Sequence, residues 1–333
     1  MRQTTLGRSG PAVGELGLGC MGMSPGLYGP ADEAEGVATI RAAVEAGVTL
    51  LDTGDFYGVG HNEMLVRRAL DDLPRSRVVI SVKFGTLRDP AGGFGGVDGR
   101  PRSVKNFLAY TLRRLGTDHV DVYRPARLDP SVPIEETVGA IAEMIRAGYV
   151  RHVGLSEVGS DTLRRAHAVH PIADLQIEYS LLSRGIEAAI LPAARQLGIA
   201  ITAYGVLSRG LLSGRVPAAG AAGDLRVARM PRFQPGNLER NMTLVGELRR
   251  IAAEKGASPA QLAIAWVRSR GVDVVPLVGA RRRDQLQEAL AALDLSLDPG
   301  DLARIEAAVP PGRVAGERYD PAQMAHLDSE VHP

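Results

Sequence analysis

Short apolar segments alternate with amphipathic segments along almost the whole chain. Eight apolar segments are predicted to be strands, because each is a brief, nearly continuous apolar run bounded by turn residues. The predicted strands are Gly14–Gly19, Val48–Asp52, Val78–Lys83, Val120–Arg124, Val150–Ser156, Ala173–Glu178, Ile199–Tyr204 and Val272–Leu277. Strands that lack polar alternation are typical of a parallel sheet that is covered by helices.

Amphipathic segments with helical spacing fill seven of the intervals around these strands. Examples are Ala31–Ala46, Asn62–Leu70, Ser103–Leu115 and Ile134–Ala147. Eight such strand–helix units in one chain favour a single (β/α)8 TIM barrel, an α/β fold, over residues 1–333. An open doubly wound sheet is the less favoured alternative for eight such units in a chain of this length.

Three further segments are predicted to decorate the barrel. The N-terminal stretch reads as a β-hairpin that turns at Arg8–Pro11. Residues 208–237 are rich in Gly, Pro, Ala and Arg and are predicted to form a mobile loop over the open end. Residues 311–333 are predicted to form an irregular tail that reaches the same face.

Composition excludes several classes of function. The chain has 333 residues, 45% of them hydrophobic, which is enough for a large core, and a formal net charge of +1, which gives no bulk attraction to nucleic acid or membrane. No apolar run approaches the ~20 residues of a membrane span, and no metal site is predicted. The single cysteine, Cys20, and an N-terminus without an apolar signal core lead us to expect a cytoplasmic protein.

Polar residues close several of the predicted strands. In a (β/α)8 barrel these positions form the working face, because active sites lie at the carboxyl ends of the strands. The residues concerned are Asp52, Lys83, Ser156, Glu157, Gln176 and Tyr204.

Asp52, Lys83 and the nearby Tyr57 together predict an acid catalyst. A phenol with an ordinary pKa of ~10 is a poor acid at neutral pH. A neighbouring ammonium favours the phenolate and so lowers that pKa, while a buried carboxylate holds the ammonium in place. The three residues therefore predict a proton donor, which the reduction of a carbonyl by hydride requires.

Six motifs resemble those of the aldo-keto reductase family. They are "LGLGCMGMS" from Leu16, "DTGDFYGVGHNE" from Asp52, "SVKFG" from Ser81, "VGLSE" from Val153, "LQIEYSLLSR" from Leu175 and "QLAIAWV" from Gln261. Within the family the chain is similar to the plant perakine reductase branch and its bacterial relatives. The resemblance implies a barrel that binds NADP(H) without a Rossmann domain and reduces a small-molecule aldehyde or ketone, with Tyr57 as the acid and Lys83 and Asp52 tuning it.

The same resemblance implies a set of cofactor-binding residues. Ser156 and Gln176, with Glu157 beside them, are expected at the nicotinamide carboxamide, and Tyr204 is expected to stack on the nicotinamide ring. The loop expected over the pyrophosphate contains Gly205, Leu207, Arg209, Gly210 and Leu211. The residues expected at the adenosine end are Gly279, Arg281, Arg282 and Glu288; there Arg282 would meet the 2′-phosphate, which a guanidinium suits, and Glu288 the adenine amino group.

The chain departs from the family at "DVYRPAR", where "DLYYxHR" is usual. Ala126 occupies the position of the tetrad histidine, whose loss removes a donor worth ~10²–10³ in rate. Arg124 should point into the barrel one layer deeper and needs a partner; we expect Asp52 or a bound anion to supply one. Pro125 suggests that strand pairing ends early.

Three functions stay open from the residues. The first is NADPH-dependent reduction of an aldehyde or ketone, or of an imine or enone admitted by the altered pocket at Ala126. The second is non-redox acid–base chemistry, such as isomerisation or dehydration, by Tyr57 and Lys83 on the same scaffold. The third is cofactor binding with little catalysis.

Overall fold

A closed barrel of eight parallel strands forms the centre of the protein in the computed structural model, which describes residues 1–26, 28–216 and 224–330. Each strand pairs in parallel with its two neighbours around the ring. Helices follow the strands and cover the outside of the barrel. The predicted (β/α)8 fold is therefore confirmed.

Twelve strands occur in the described residues, eight of them in the barrel. In chain order they are β1 (Gln3–Thr5), β2 (Ala12–Gly14), β3 (Gly17–Gly19), β4 (Leu50–Gly54), β5 (Val79–Phe84), β6 (Thr86–Arg88), β7 (Phe94–Val97), β8 (Val120–Pro125), β9 (Val150–Ser156), β10 (Ile172–Glu178), β11 (Ala200–Tyr204) and β12 (Val274–Gly279). The barrel consists of β3, β4, β5 and β8 to β12. The predicted first strand divides into β2, which belongs to the hairpin, and β3, because the chain turns at Glu15 and Leu16.

Twelve α-helices occur in the same residues. They are α1 (Glu33–Glu45), α2 (His61–Leu70), α3 (Pro101–Leu115), α4 (Ile134–Arg146), α5 (Ser160–Val169), α6 (Ile190–Leu197), α7 (Leu225–Arg229), α8 (Asn237–Glu254), α9 (Pro259–Arg268), α10 (Arg283–Ala291), α11 (Pro299–Ala308) and α12 (Pro321–Met324). Five of them, α1, α7, α9, α11 and α12, begin with a side-chain cap. At α9, for example, Ser258 accepts from the backbone N–H of Gln261 at 3.2 Å, and Pro259 occupies the first turn.

The N-terminal hairpin closes the bottom of the barrel. Strands β1 and β2 pair antiparallel, and Leu6 N–H donates to Pro11 O at 3.0 Å across the predicted turn. Leu6 and Val13 are fully buried in a small apolar cluster with inward-facing residues near the amino ends of the strands, such as Leu50 and Val122. This end of the barrel is therefore plugged by apolar side chains, and polar chemistry is confined to the layers above it.

A charged layer lies directly above this apolar plug. Because strand residues alternate between faces, the inward positions that follow Leu50 and Val122 are Asp52 and Arg124, and both are buried. Asp174 and Thr202 occupy the same layer from the opposite side of the ring, where the Thr202 hydroxyl donates to Asp174. The barrel thus presents an ionic floor to the site at its carboxyl face.

The loop segment 208–237 and the C-terminal tail 311–333 both contain ordered structure. Segment 208–237 holds a 3-10 turn (Ser208–Ser213), helix α7 and a second 3-10 turn (Pro231–Phe233), and the tail holds helix α12. Residues 217–223 of the first and 331–333 of the second lie outside the described residues, and the mobility of 208–237 stays a prediction. The hairpin of β6 and β7, which follows β5, was not predicted. Within the described ranges, no helix combines the length and apolar character needed to cross a bilayer.

Candidate active site

Asp52 and Lys83 form a buried ion pair at the carboxyl ends of two adjacent strands. The register of β4 and β5 sets Asp52 beside Ser81 and Gly54 beside Lys83. The ammonium of Lys83 donates to Asp52 Oδ1, and Ser81 Oγ donates to Asp52 Oδ2 at 2.9 Å. Burial lowers the pKa of Lys83, although the Asp52 carboxylate acts to raise it. The cation is therefore fixed in position by two neighbouring strands.

Tyr57 packs against this pair from the loop that follows β4. The ammonium nitrogen of Lys83 lies 5.2 Å from the centre of the Tyr57 ring, and the ring of Phe56 packs edge-on against the phenol at 4.8 Å between centroids. Among the described residues, Lys83 meets Tyr57 through this ring contact rather than through a hydrogen bond to the hydroxyl. The three residues predicted to be catalytic are thus brought together at the barrel mouth.

The pKa of Tyr57 differs from the sequence-based expectation. Burial raises this pKa well above its ordinary value, and the carboxylate of Asp52 raises it further. The sequence predicts the ammonium of Lys83 near the phenol but does not predict that the phenol is buried. In this arrangement the hydroxyl keeps its proton at neutral pH, as a proton donor must before reaction.

Arg124 lies below this group and pairs with Asp174. The guanidinium is completely buried, and its Nη2 donates to Asp174 Oδ1 at 3.0 Å and to Ser81 Oγ at 2.9 Å. Asp174 rather than Asp52 is therefore the carboxylate partner of Arg124, since Asp52 is reached only through Ser81. Gly154, on the strand between, makes the pair possible: a Cβ there would lie 2.7 Å from Asp174 Oδ1 and 3.1 Å from Arg124 Nε.

Pro125 ends strand pairing on one side only. Tyr123 is the last residue of β8 in register with β9, because the proline that follows has no N–H to continue that ladder. On the other side Phe84 still pairs with Pro125, and Ala126 N–H donates to Phe84 O at 2.8 Å. Ala126 is consequently held against the strand that carries Lys83, with its side chain buried.

The residues expected at the nicotinamide lie side by side on three strands. Ser156 and Gln176 are partners in the register of β9 and β10, and Glu178 pairs with Tyr204 in that of β10 and β11. Gln176 Nε2 donates to Asp52 Oδ2 at 2.7 Å, which links this group to the ion pair. Both Ser156 and Gln176 are buried, while Tyr204 is half-buried at the rim.

The C-terminal tail covers this end of the site, as expected, through contacts that were not predicted. Arg318 Nη1 and Nη2 donate to the two carboxylate oxygens of Glu157 at 3.0 and 2.5 Å, and Ser329 Oγ donates to the second at 2.6 Å. The Tyr319 hydroxyl lies 2.8 Å from that of Tyr204. The tail is therefore tied to two of the residues expected to hold the nicotinamide.

Glu157 shows the signs of a constrained functional residue. It adopts a left-handed conformation with φ of 54°, which is costly for a residue with a side chain. Burial acts to raise its pKa, but the charge of Arg318 and the hydrogen bonds from Arg318 and Ser329 outweigh burial and hold the pKa at about 2. The carboxylate is thus ionised and can accept hydrogen bonds at any working pH.

The loop expected over the pyrophosphate turns tightly after β11. Gly205 has φ of +66°, and a Cβ on it would lie 2.9 Å from Glu178 Cγ. Arg209 points back into the barrel mouth, where its Nη2 lies 3.5 Å from Glu178 Oε2. Leu211 is buried, and Leu207 and Gly210 are half-buried around it. The loop thereby adds a guanidinium to the rim of the site.

The residues expected at the adenosine end cluster where β12 passes into α10. Gly279 ends the strand, and Arg282 is the N-cap residue of α10, exposed and paired with Asp284 at 2.8 Å. Arg281 Nη1 donates to Tyr28 O at 2.8 Å across the cleft. Glu288, on the same helix, pairs with Arg215 of segment 208–237 at 2.9 Å.

The donor set of this face fits NADP(H). Ser156, Gln176 and Tyr204 offer side-chain hydrogen-bonding groups and a ring at the nicotinamide end. Arg282 lies at a helix N-terminus, where the backbone and the guanidinium both favour an anion such as a 2′-phosphate. Glu178, buried between the two ends, has its Oε2 3.5 Å from both Arg209 Nη2 and Arg318 Nη1.

One further residue of the site, Arg127, was not singled out in the sequence. It follows Ala126 and extends over the carboxyl face, where its Nη1 donates to Ala126 O at 2.7 Å. The sequence could have indicated Arg127, because an arginine directly after Ala126 is expected beside the candidate catalytic residues. The sequence around Arg318 and Tyr319 did not indicate a role at the site, since no local pattern in the tail predicts which part of the barrel it contacts.

Comparison with known proteins gives one consistent result. The model of the Aldo/keto reductase family matches residues 15–310. "Probable aldo-keto reductase 1" of Glycine max is 42% identical over 316 residues, which cover 94% of this chain and 90% of that protein.

Solved structures agree with this match. The structure of a glycerol dehydrogenase from Gluconobacter oxydans superimposes with a TM-score of 0.83 at 27% identity, over 99% of this chain and 98% of that one. The holo form of an aldo-keto reductase from Bacillus halodurans gives a TM-score of 0.77 at 26% identity, over 93% and 96% of the two chains.

Proposed function

The chain belongs to the aldo/keto reductase family and is an oxidoreductase of that type, and from this premise we propose that it reduces the carbonyl group of a small aldehyde or ketone with NADPH. The observation that carries the proposal is the Lys83–Asp52 ion pair packed against the ring of Tyr57 at the barrel mouth. An acid, a cation and a fixed carboxylate in this order are what proton delivery to a carbonyl oxygen needs.

Each residue of the group has a separate task in this proposal. Bound NADPH supplies the hydride that the carbonyl carbon accepts. Tyr57 transfers its hydroxyl proton to the carbonyl oxygen, which becomes an alcohol. Lys83 stabilises the phenolate left behind, and Asp52 keeps Lys83 charged and in place despite the burial that lowers its pKa. Gln176, which donates to the same carboxylate, joins the nicotinamide end of the site to this group.

The altered tetrad shapes what the site accepts. Ala126 offers no donor to the carbonyl oxygen, so Tyr57 is the main acid in this proposal. We expect the side chain at position 126, which is smaller than an imidazole, to admit a bulkier carbonyl compound, or an imine or enone. Oxidoreductase chemistry is retained in each case, and only the acceptor differs.

The preference for NADPH over NADH rests on the cations at the start of α10. Arg282 is exposed and, within the described residues, pairs with Asp284 alone, two residues away, so it can turn toward a 2′-phosphate. Arg283, in contrast, is paired with Glu35 of α1 at 3.0 Å. The proposal therefore assigns the phosphate to Arg282, with Arg281 beside it.

A carbonyl panel followed by NADPH absorbance tests the proposal. We expect turnover in the wild type and a loss of at least ~10² in Tyr57→Phe, because a positioned acid contributes ~10²–10⁴ in rate. The variant should bind NADPH as well as the wild type in a fluorescence titration. Turnover that survives in Tyr57→Phe would refute the assignment of the acid.

The same panel separates the two other functions. Product formed without oxidation of NADPH would indicate non-redox acid–base chemistry by Tyr57 and Lys83. Tight NADPH binding without turnover of any carbonyl compound would indicate a cofactor-binding protein. The buried Asp52–Lys83 pair supports an enzyme, because a binding role alone has no need of an ionised lysine against the phenol.

A further inference from the structure

Arg127 is held close to the reacting group by the end of β8. Ala126 N–H donates to Phe84 O at 2.8 Å, so the chain is still attached to the strand of Lys83 when it reaches Arg127. The chain then leaves the strand, and the side chain folds back so that Nη1 donates to Ala126 O at 2.7 Å. The guanidinium therefore lies beside the position at which the tetrad donor is missing.

Three guanidinium groups surround the ring of Tyr319, and they differ in their partners. Arg209, Arg318 and Arg127 have their central carbons 4.4, 5.4 and 5.8 Å from the ring centre. Arg209 faces the carboxylate of Glu178, and Arg318 is bidentate on that of Glu157. Within the described ranges Arg127 has no carboxylate inside 4.0 Å, and its hydrogen bond goes to a neutral carbonyl.

Burial acts to lower the pKa of Arg127, but Tyr319, Tyr204 and the carboxylate of Glu157 outweigh burial and raise that pKa, so the cation is supported from a distance while no carboxylate of the described residues contacts it. Desolvation penalises the charge, and a single carbonyl oxygen satisfies only one of the five N–H groups of the guanidinium. The planar group is shaped to bind a carboxylate through two parallel hydrogen bonds. The arrangement thus leaves a carboxylate-binding fork at the substrate end of the site.

The electrostatic influence of Arg127 reaches the proton donor. Burial raises the pKa of Tyr57, and among the charges that act on it Arg127 works in the opposite direction. The cations assigned to the other end of the cofactor are different residues, Arg281 and Arg282, which follow β12. An anion bound by Arg127 therefore lies next to the reacting carbonyl rather than at the adenosine phosphate.

We propose that Arg127 is a specificity-determining residue that binds a carboxylate on the substrate, so that the preferred substrates are aldehydes or ketones that carry a carboxylate. The inference rests on the proposed function and adds the class of substrate. The carboxylate occupies the fork of Arg127, and Ala126 leaves room beside it for the carbonyl to reach Tyr57.

A matched pair of aldehydes tests the inference. We expect para-carboxybenzaldehyde to be reduced with a higher kcat/KM than its methyl ester, which has the same ring and no charge. Arg127→Gln should lower kcat/KM for the acid about 10- to 100-fold, mainly through KM, because a charge-assisted pair is lost. The ester should change by less than about threefold, and Arg127→Lys, which keeps the charge but loses the fork, should be intermediate.

Arg88→Gln provides the control. It removes a positive charge from an exposed arginine at the same barrel face, near Phe56. Equal losses in Arg88→Gln and Arg127→Gln would show a general electrostatic effect and overturn the inference. Equal losses for acid and ester, or an equally weakened dissociation constant for NADPH, would also overturn it, because Arg127 would then serve the carbonyl oxygen or the cofactor.

A binding measurement separates this inference from the proposed function. With NADP⁺-saturated protein, benzoate should raise the thermal midpoint and benzamide should not, and Arg127→Gln should lose the effect of benzoate. Benzoate binding without reduction of any aldehyde would support the carboxylate fork and contradict the reductase. Reduction of the ester and the acid at equal kcat/KM, without benzoate binding, would support the reductase and contradict the carboxylate fork. If Arg127→Gln does not fold, the inference is still tested by comparing kcat/KM for the acid and the ester in the wild type and in Arg127→Lys.

Discussion

The buried carboxylate of Asp55 should reduce the stability of the protein as the pH rises. Asp55 lies two residues before Tyr57 and is only 7% exposed, and its Oδ1 accepts no hydrogen bond from the described residues. The carboxylate of Glu63 is buried nearby, and Arg114, 2.5 Å from Glu63, is shared between the two. Burial, reinforced by Glu63, raises the pKa of Asp55 from 3.8 to about 7.

The sign of the effect follows from proton linkage. Because the folded pKa exceeds the unfolded one, the native state binds the proton more tightly. The stabilisation is complete below about pH 4 and is lost as the pH rises through about 7. Raising the pKa of Asp55 from 3.8 to about 7 corresponds to roughly 4 kcal/mol of stability, as an upper limit. Asp55→Asn removes the ionisation, so the variant should exceed the wild type in stability by about 2–4 kcal/mol at pH 8.

Urea unfolding at pH 5 and pH 8 measures the difference in stability between Asp55→Asn and the wild type. The advantage of Asp55→Asn should be about 2–3 kcal/mol larger at pH 8 than at pH 5, since much of the wild-type penalty appears between them. Asp71→Asn, at an exposed position, is the matched control and should show no such change. An advantage of Asp55→Asn that is the same at both pH values, or a variant less stable than the wild type at pH 8, would refute the reasoning.

Three other predictions concern the altered tetrad and the cofactor. Ala126→His should raise the rate on small aldehydes, by up to ~10²-fold from a restored donor; an imidazole seen beside Tyr57 with NADPH bound, but without any gain in rate, would contradict this. Arg282→Ala should weaken NADPH binding by roughly 1–3 kcal/mol and leave NADH nearly unchanged in fluorescence titrations; equal losses for both would exclude a role at the 2′-phosphate. Arg124→Met should destabilise the protein by about 3–5 kcal/mol in urea unfolding because Asp174 is left buried and unpaired, whereas Arg124→Met with Asp174→Leu should recover most of that loss; an equally unstable double variant would contradict the pairing.

The barrel was predictable because each of its strands is an apolar segment that can be recognised from its own sequence. Segments such as Val150–Ser156 are apolar enough to be strands buried on both sides, and the structure has the same bounds. The grouping of the candidate catalytic residues was predictable for a related reason, since Asp52 and Lys83 lie near the carboxyl ends of adjacent strands and parallel neighbours bring their ends together. Periodicity and topology suffice for such residues.

The ionic floor and the tail depend on contacts that periodicity does not encode. Arg124 and Asp174 are 50 residues apart, on strands separated by β9, and meet only because Gly154 lacks a side chain between them. Arg318 reaches Glu157 from 161 residues away, out of a segment without a repeating pattern. The hairpin of β6 and β7 was missed because its Gly-rich sequence lacks apolar alternation.

The absence of a histidine at position 126 is consistent with the charges that surround it. Arg124 lies one inward layer below Ala126, and Arg127 folds back onto its carbonyl oxygen. Lys83 is the residue before the last in the adjacent strand β5, so three cations border this position. An imidazole here would be driven to its neutral form, since like charges and burial both disfavour protonation. It could still donate one hydrogen bond, but it would not add positive charge, which Arg127 already brings to this side of Tyr57.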